Sequence, residues 1–280
     1  TYEATIRLGL RTTTDDAEGE VLVDDEARSR WQTLSAQLTE GGQSGEPTAL
    51  PTASWQDLLT RTIATNFTGD IEQVPNTFSA IKINGQRAYD LAREGKDVEL
   101  KPRPVTISEF TVLDIRSGFV AGEQTAEPLR EDANTGAIPA LDVDVRISCS
   151  SGTYIRALAR DLGRACGSAA HISALRRTAS GVVSIGVCHA VEELSPESAV
   201  GFALDPIAAL GATRVDLPGN LADDLLCGRR IPVERALADF DASKAPFALV
   251  LDGGLKALAR IEGGRFVMEH VFPQAIGGVR

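Results

Sequence analysis

The 280-residue chain lacks the makings of a metal centre. Its three histidines, His171, His189 and His270, are scattered. Cys188 and His189 are adjacent, but neighbouring side chains on a strand point to opposite faces, which disfavours shared ligation. The four cysteines, Cys149, Cys166, Cys188 and Cys227, form no C-x-x-C pair and sit among apolar or small residues. They read as reduced thiols of a cytoplasmic protein. There is no Gly-rich nucleotide loop, no apolar run near the roughly 20 residues that a bilayer span needs, and no secretory signal at the start. The expectation is therefore no metal, no cofactor and no membrane. Positive charge is also short, with 28 Lys and Arg against 39 Asp and Glu and a net charge of −11. That argues against a general nucleic-acid binder, whose affinity rests on cations against phosphates.

What is present suffices for a sizeable core. Hydrophobic residues make up 43% of the chain, and the length allows one large domain or two ordinary ones. The charge is also unevenly placed. Residues 145 to 178 carry Arg146, Arg156, Arg160, Arg164, Arg176 and Arg177 against Asp161 alone. Residues 82 to 103 interleave Lys82, Arg87, Arg93, Lys96, Lys101 and Arg103 with acids, while acid gathers in Asp15 to Glu26. A basic groove on an acidic protein and a set of solvated helix faces both fit this pattern.

Residues 145 to 178, VRISCSSGTYIRALARDLGRACGSAAHISALRRT, organise the chain. Val145 to Ser148 alternates like a half-buried strand. Ser150-Ser151-Gly152 is a turn, with Thr153 as the expected N-cap of a helix. Ile155, Leu158, Ala159 and Leu162 repeat at helical spacing, with Gly163 as the expected stop. Arg156 falls in the first turn, where the helix dipole prefers anions. Such local inconsistencies often mark functional positions, and Arg156 calls for a carboxylate or phosphate partner from elsewhere.

Around this stretch, residues 2 to 8 alternate as a strand, with Tyr2, Ala4, Ile6 and Leu8 on one face. Thr12 to Gly19 is a polar loop. Trp31 to Leu38 is a short amphipathic piece, and residues 40 to 54 form a surface loop. Ser54 is the expected cap of a helix with Trp55, Leu58, Leu59, Ile63 and Phe67 inward. Ser79 to Ile83 reads as a strand ending at an Asn84-Gly85 turn, and Arg87 to Arg93 as a helix whose Tyr89 is core or outward-facing. Val98 to Ile107 is extended, with Pro102 and Pro104 marking an edge or irregular strand. Residues 117 to 139 read as a loop between two strands. Val182 to Val187 reads as a strand and Val191 to Val200 as a polar helix. A break is expected near 205 to 213. Beyond it lies a small β-rich domain with a short helix over Leu221 to Leu226, a hairpin across Asp252-Gly253-Gly254 and a last strand over Phe266 to Phe272.

Three ordered blocks resemble the TruB family of tRNA pseudouridine synthases, in an actinobacterial-like form. The first is SSGTYIRALARDLG followed by AHISALRRT. The second is Tyr2 to Gly9 with Thr12 to Gly19, similar to Y-x-A-x-I-x-L-G…T-x-T-x-D-x-x-G. The third is residues 73 to 104, similar to P-x-x-S-A-x-K-x-x-G-x-R-x-Y-x-x-A-R-x-G. The family isomerises the uridine in the T loop of tRNA.

The resemblance implies an α+β fold: a mixed, largely antiparallel sheet with flanking helices, ending in a small PUA-like RNA-binding domain. The domains would be residues 1–205, catalytic, and 213–280, RNA-binding. It implies catalytic-site roles for Tyr2 against the target base, for Leu175 and Tyr154 as pocket walls, and for Arg156 beside the nucleophilic aspartate. On residues alone, Tyr2 reads as core, Tyr154 as core or pocket lining, and Arg156 as a surface arginine bound to a nearby acid. Lys82, Arg87, Arg176 and Arg177 become phosphate contacts, with Asp16 on the loop that borders the site. Their bland alternative is solvated charge. The implied partner is the tRNA T arm, met by a monomer.

The family's nucleophile lies in a G-H-x-G-x-L-D-P motif upstream of the Tyr2 block, and this sequence opens on Thr1 without that motif. The expectation is an N-terminally partial sequence that is inactive alone and has an exposed sheet edge beginning at Tyr2. A non-catalytic RNA-binding remnant and an aspartate supplied by another chain are the alternatives. Leu204-Asp205-Pro206 repeats three letters of the motif without its G-H-x-G, so Asp205 reads as a turn starter and not a nucleophile.

Overall fold

A computed structural model describes residues 1–22, 29–31, 33, 52–76, 82–83, 86–87, 100–120, 127–130 and 138–279. The chain divides into two compact units, Thr1–Thr178 and Ala179–Arg280.

The first unit is built on β1 (Tyr2–Leu8), α1 (Thr52–Asn66), β2 (Gly69–Gln73), β3 (Arg103–Val120), β4 (Ile138–Cys149), α2 (Ile155–Ala165) and β5 (Ala170–Arg177). Its five-stranded sheet has the order β2-β3-β4-β1-β5, with every neighbouring pair antiparallel. Ala4, Ile6 and Leu8 are buried, as the alternation predicts, in one cluster with Trp55 and Leu59 of α1 and Leu158 and Leu162 of α2. Each such side chain contributes about 1.5–3 kcal/mol on burial. Trp31 and Trp55 meet at 5.0 Å between ring centroids, and Trp31 Nε1 donates to the Pro139 carbonyl at 2.9 Å.

Several local expectations change. β1 is flanked by β4 and β5, so no sheet edge begins at Tyr2. Thr153 does not cap α2; its hydroxyl donates to the Ser150 carbonyl, and Tyr154 takes the N-cap position with no side-chain cap bond. Gly163 does not stop the helix but lies inside it. A Cβ there would sit 2.6 Å from Ala170 N and 2.7 Å from Ala170 Cβ, so glycine serves the close approach of α2 to β5. Ser54 lies within α1, past its first residues. Pro104 falls where β3 pairs only with β2, since β3 meets β4 from Ile107 onward; a proline has no N–H to offer a second neighbour. The 117–139 loop is shorter than expected, because β3 continues through Val120 and β4 begins at Ile138. Phe119, Val120, Ala140 and Leu141 are buried there. Of the expected helix over Arg87 to Arg93, Arg87 lies instead in a short strand, Gln86–Arg87, and the rest, like most of the 40–54 loop, lies outside the described residues.

The second unit contains α3 (Pro196–Phe202), α4 (Pro206–Leu210), β6 (Thr213–Asp216), α5 (Ala222–Leu226), β7 (Ile231–Pro232), β8 (Phe247–Leu251), β9 (Gly254–Glu262) and β10 (Arg265–Ile276). Its sheet runs β6-β8-β9-β10-β7, with β6 parallel to β8 and the rest antiparallel. The fold class is thus α+β, with a mixed, largely antiparallel strand set. The β8–β9 hairpin turns through Asp252 and Gly253, whose φ values of 48° and 75° suit a tight two-residue turn. The division after Thr178 precedes the expected break at 205–213, because the connecting residues pack into the second unit. Ile207 joins the buried Ala248, Val250 and Leu255, and Val182 lies against Gly211. Of Val182 to Val187, only Val183–Ser184 is strand, followed by a 3-10 turn. The 191–200 helix begins at Pro196, which suits a first helical position, and Ser195 Oγ accepts from Ser198 N at 3.1 Å. Cys188 and His189 are not on a strand, and His189 stacks on Phe202 at 3.6 Å.

Candidate active site

The loop after β1 delivers two carboxylates to one face of α2. Asp15 has a positive φ of 58°, which a short polar side chain tolerates. Its carbonyl accepts from Ile172 N of β5 at 3.0 Å. Thr12 Oγ1 donates to the Asp16 carbonyl at 2.6 Å and fixes the turn. Arg156 and Arg160 are one helical turn apart and share a face. Arg156 Nη2 lies 2.6 Å from Asp16 Oδ2, and Arg160 Nη1 lies 3.7 Å from Asp15 Oδ2.

Asp16 is buried. Its Oδ1 accepts from Thr14 Oγ1 at 2.5 Å and from Glu18 N at 3.0 Å. The carboxylate thus meets three donors, and Arg156 is the charged one. This answers the misplaced cation in the first turn: the partner that Arg156 called for is a carboxylate already in this chain. Arg156 remains 38% exposed on its side chain, so it reaches the surface as well as Asp16. Asp15 accepts in addition from Asn76 Nδ2. Burial pushes the Asp15 carboxyl above its usual range, while Arg160 and Asn76 pull it back.

The exit of β2 is tied to the start of α2. Gln73 Nε2 donates to the Tyr154 carbonyl at 3.1 Å, and Tyr154 N donates to Gln73 Oε1 at 2.8 Å. One turn on, Arg160 Nη2 donates to the Val74 carbonyl at 2.7 Å, and its Nε to Asp161 Oδ1 at 2.8 Å.

Tyr2 lies at the α2 end of the sheet, since it pairs with Ile147 shortly before β4 ends and with Arg177 on β5. It is half-buried and packs on the core. Its hydroxyl accepts from Arg177 Nε at 3.1 Å and Nη2 at 2.8 Å. Leu175, opposite Ala4, is 45% exposed, an apolar side chain presented at the same end. Arg176 is exposed beside it. Lys82 and Arg87 oppose each other in a two-residue strand pair; their side chains and Tyr89 lie outside the described residues. Asp205 is an N-cap, accepting from Ile207 N at 2.7 Å and Ala208 N at 3.2 Å. Among the described residues, no His, Cys, Asp and Glu group could hold a metal ion.

The basic stretch is less basic in space than along the chain. Arg146 meets Glu3 at 2.9 Å, Arg156 meets Asp16, and Arg164 meets Asp161 at 3.4 Å. Sequence reasoning gave no role to Asp15, Gln73, Asn76 or Arg160. The Arg156–Arg160 spacing was a usable signal, since two cations on one face ask for two carboxylates and Asp15-Asp16 are adjacent. Nothing comparable pointed to Gln73.

Residues 31–155 match the model of the TruB family pseudouridylate synthase N-terminal domain. Residues 156–201, beginning at Arg156, match the tRNA pseudouridylate synthase B C-terminal domain. A tRNA pseudouridine synthase B of Mycobacteroides abscessus is 41% identical over 257 residues, covering 90% of this chain and 72% of that protein. The chain belongs to the TruB family. An Arthrobacter TruB relative, also called tRNA pseudouridine synthase B, is 41% identical over 271 residues, or 94% of this chain and 73% of that protein. The Bifidobacterium longum protein of the same name is 93% identical over 181 residues, or 65% of this chain and 47% of that protein. The chain thus spans about half the length of that relative. Tyr2 and Asp16 lie ahead of the residues that the TruB N-terminal model matches.

Proposed function

We propose that the protein isomerises the T-loop uridine of tRNA to pseudouridine. It works as a cytoplasmic monomer and needs neither metal nor redox cofactor. The reaction breaks the bond from the ribose C1′ to uracil N1, turns the ring and joins C1′ to C5; the C5 proton leaves to solvent and N1 takes up a proton in return. An ionised aspartate serves as nucleophile or base; the family resemblance places it in a motif that these 280 residues do not contain.

The target base leaves its stack to be reached. Tyr2 offers an aromatic face for it, worth about 1–3 kcal/mol per stacked base. Leu175 and Tyr154 supply walls. Arg176 and Arg177, with Lys82 and Arg87, lie along the phosphates, and Asp16 orders the rim. Residues 1–205 form the catalytic domain and residues 213–280 a PUA-like RNA-binding tail. In that tail Arg214, Arg229, Arg230, Lys244 and Arg260 each already meet a carboxylate.

The observation that carries this reading is the Arg156–Asp16 pair at 2.6 Å. It orients an arginine at a helix start that the dipole alone would disfavour, with part of the guanidinium left for a second carboxylate or the substrate. The test is tritium release from tRNA labelled at uracil C5, with protein made from its own gene. Turnover at the T loop is expected, with Arg156→Ala lowering kcat on the order of a hundred- to a thousandfold. Absence of pseudouridine in the T arm, with folded protein and intact tRNA, overturns it.

A further inference from the structure

We infer that Gln73 is a positioning residue of the isomerase site: its side-chain amide pins Tyr154 and thereby sets the direction of Arg156. The inference rests on the function proposed above. Tyr154 is the N-cap of α2, and its side chain makes no cap bond. The helix therefore begins without the Ser, Thr, Asp or Asn that usually fixes a first turn. Gln73 instead holds the N-cap residue itself, from another element. Its amide donates to the Tyr154 carbonyl and accepts from Tyr154 N, at 3.1 and 2.8 Å. This two-bond pattern is the one a neighbouring strand residue would make, and the backbone polarity of Tyr154 fixes which end of the amide is which.

Gln73 is only 2% exposed, so its polar atoms have no ready alternative in water. A buried amide with both ends satisfied resists displacement, because losing either bond strands a polar group. Arg156 follows two residues later. Its reach to Asp16 depends on where the first turn of α2 starts, and Gln73 is the side chain that holds that start. The same strap is fastened twice more, by Arg160 on the Val74 carbonyl and by Asn76 on Asp15. The segment from 73 to 76 thus ties the arginine-bearing helix to the carboxylate-bearing loop. Gln73 meets the helix at its backbone and need not touch the substrate.

The test uses Gln73→Leu, which removes both bonds, and Gln73→Glu, which keeps the acceptor for Tyr154 N and loses the donor. Misplacement of a catalytic group by about an ångström costs on the order of a hundredfold in rate. With protein made from its own gene, Gln73→Leu should lower kcat by that factor and Gln73→Glu by about tenfold, while KM for tRNA stays within about twofold. Amide exchange at Tyr154 should accelerate in Gln73→Leu, with exchange in the β1 core unchanged. If Gln73→Leu melts the first unit, Gln73→Glu decides: a lower kcat with an unchanged melting curve supports positioning. An unchanged kcat overturns it, and so does a loss confined to KM. A silent unsubstituted protein defeats the isomerase reading itself, whereas active unsubstituted protein with fully active Gln73 variants defeats this inference alone.

Discussion

Replacing Arg7 by Met should remove much of the stability of the first unit. Arg7 and Asp142 are register partners on β1 and β4. Their bond is two-pronged, from Nε to Oδ1 at 2.7 Å and from Nη2 to Oδ2 at 2.8 Å. The side chains are 2% and 7% exposed. The net worth of such a pair against an apolar isostere is small, because desolvation offsets the attraction. Removing one partner is different, since it strands a buried carboxylate, at a cost of about 3–5 kcal/mol. For a unit of this size each kcal/mol moves Tm by roughly 2–4 °C, so a fall of about 6–20 °C is expected. Urea denaturation and calorimetry measure it. The double substitution Arg7→Met with Asp142→Leu should recover most of the loss, and the cycle yields the coupling. A single-variant cost below about 1 kcal/mol would refute the reasoning, because it would mean that the pair is worth no more than an exposed one.

Gly163→Ala should destabilise, although alanine is the better helix former by about 1 kcal/mol. Its Cβ would meet Ala170 N at 2.6 Å, and overpacking costs about 1–3 kcal/mol; a raised Tm would show that α2 can lift off β5. Asp15→Asn should gain on the native protein as pH rises. Burial raises the Asp15 carboxyl in the fold, so its stabilising contribution is full below the ordinary value of about 3.9 and is lost as pH climbs through the raised value. The stability difference between variant and native protein, followed from about pH 4 to 7, should move toward the variant; movement the other way would mean that Arg160 and Asn76 outweigh burial. Arg156→Ala should cost less than Arg7→Met, about 1–3 kcal/mol in urea titration, because the buried Asp16 carboxylate keeps Thr14 Oγ1 and Glu18 N as donors. A loss as large as that of Arg7→Met would make Arg156 structural.

Much of the fold was legible because period-2 and helical patterns report burial directly. Ala4, Ile6 and Leu8 on β1, and Ile155, Leu158, Ala159 and Leu162 on α2, fell where their spacing put them. The misreadings share a cause. Thr153, Gly163 and Ser54 were assigned from local turn and cap chemistry, and at Gly163 and the start of α2 the neighbour that matters is distant in sequence. Ala170 presses on Gly163, and Gln73 of β2 binds the backbone of Tyr154 at the N-cap position. Strand order was likewise hidden: nothing in residues 2 to 8 says that β4 and β5 both flank them. For the site, a conflict was more informative than a pattern. A cation in the first turn of a helix pointed to Arg156 with an acidic partner, but the partner's identity needed the loop after β1 to fold back onto α2.

Arg7 and Arg156 show how one ion-pair chemistry serves two ends. Each guanidinium meets one buried carboxylate at 2.6 to 2.7 Å. Arg7 is sealed against a strand partner and uses both prongs, so its pair is costly to break and has little left to offer a ligand. Arg156 has a half-exposed side chain and meets Asp16 through Nη2. The exposed end of that pair does not fix its own geometry. That geometry has to come from neutral hydrogen bonds around it: Thr14 and the Glu18 amide on Asp16, and Gln73 on the backbone before Arg156. These bonds hold the carboxylate and the start of α2 in place, and charges and dipoles so held act without reorganising during a reaction. The sheet supplies the rigidity, and the site sits where its connections meet.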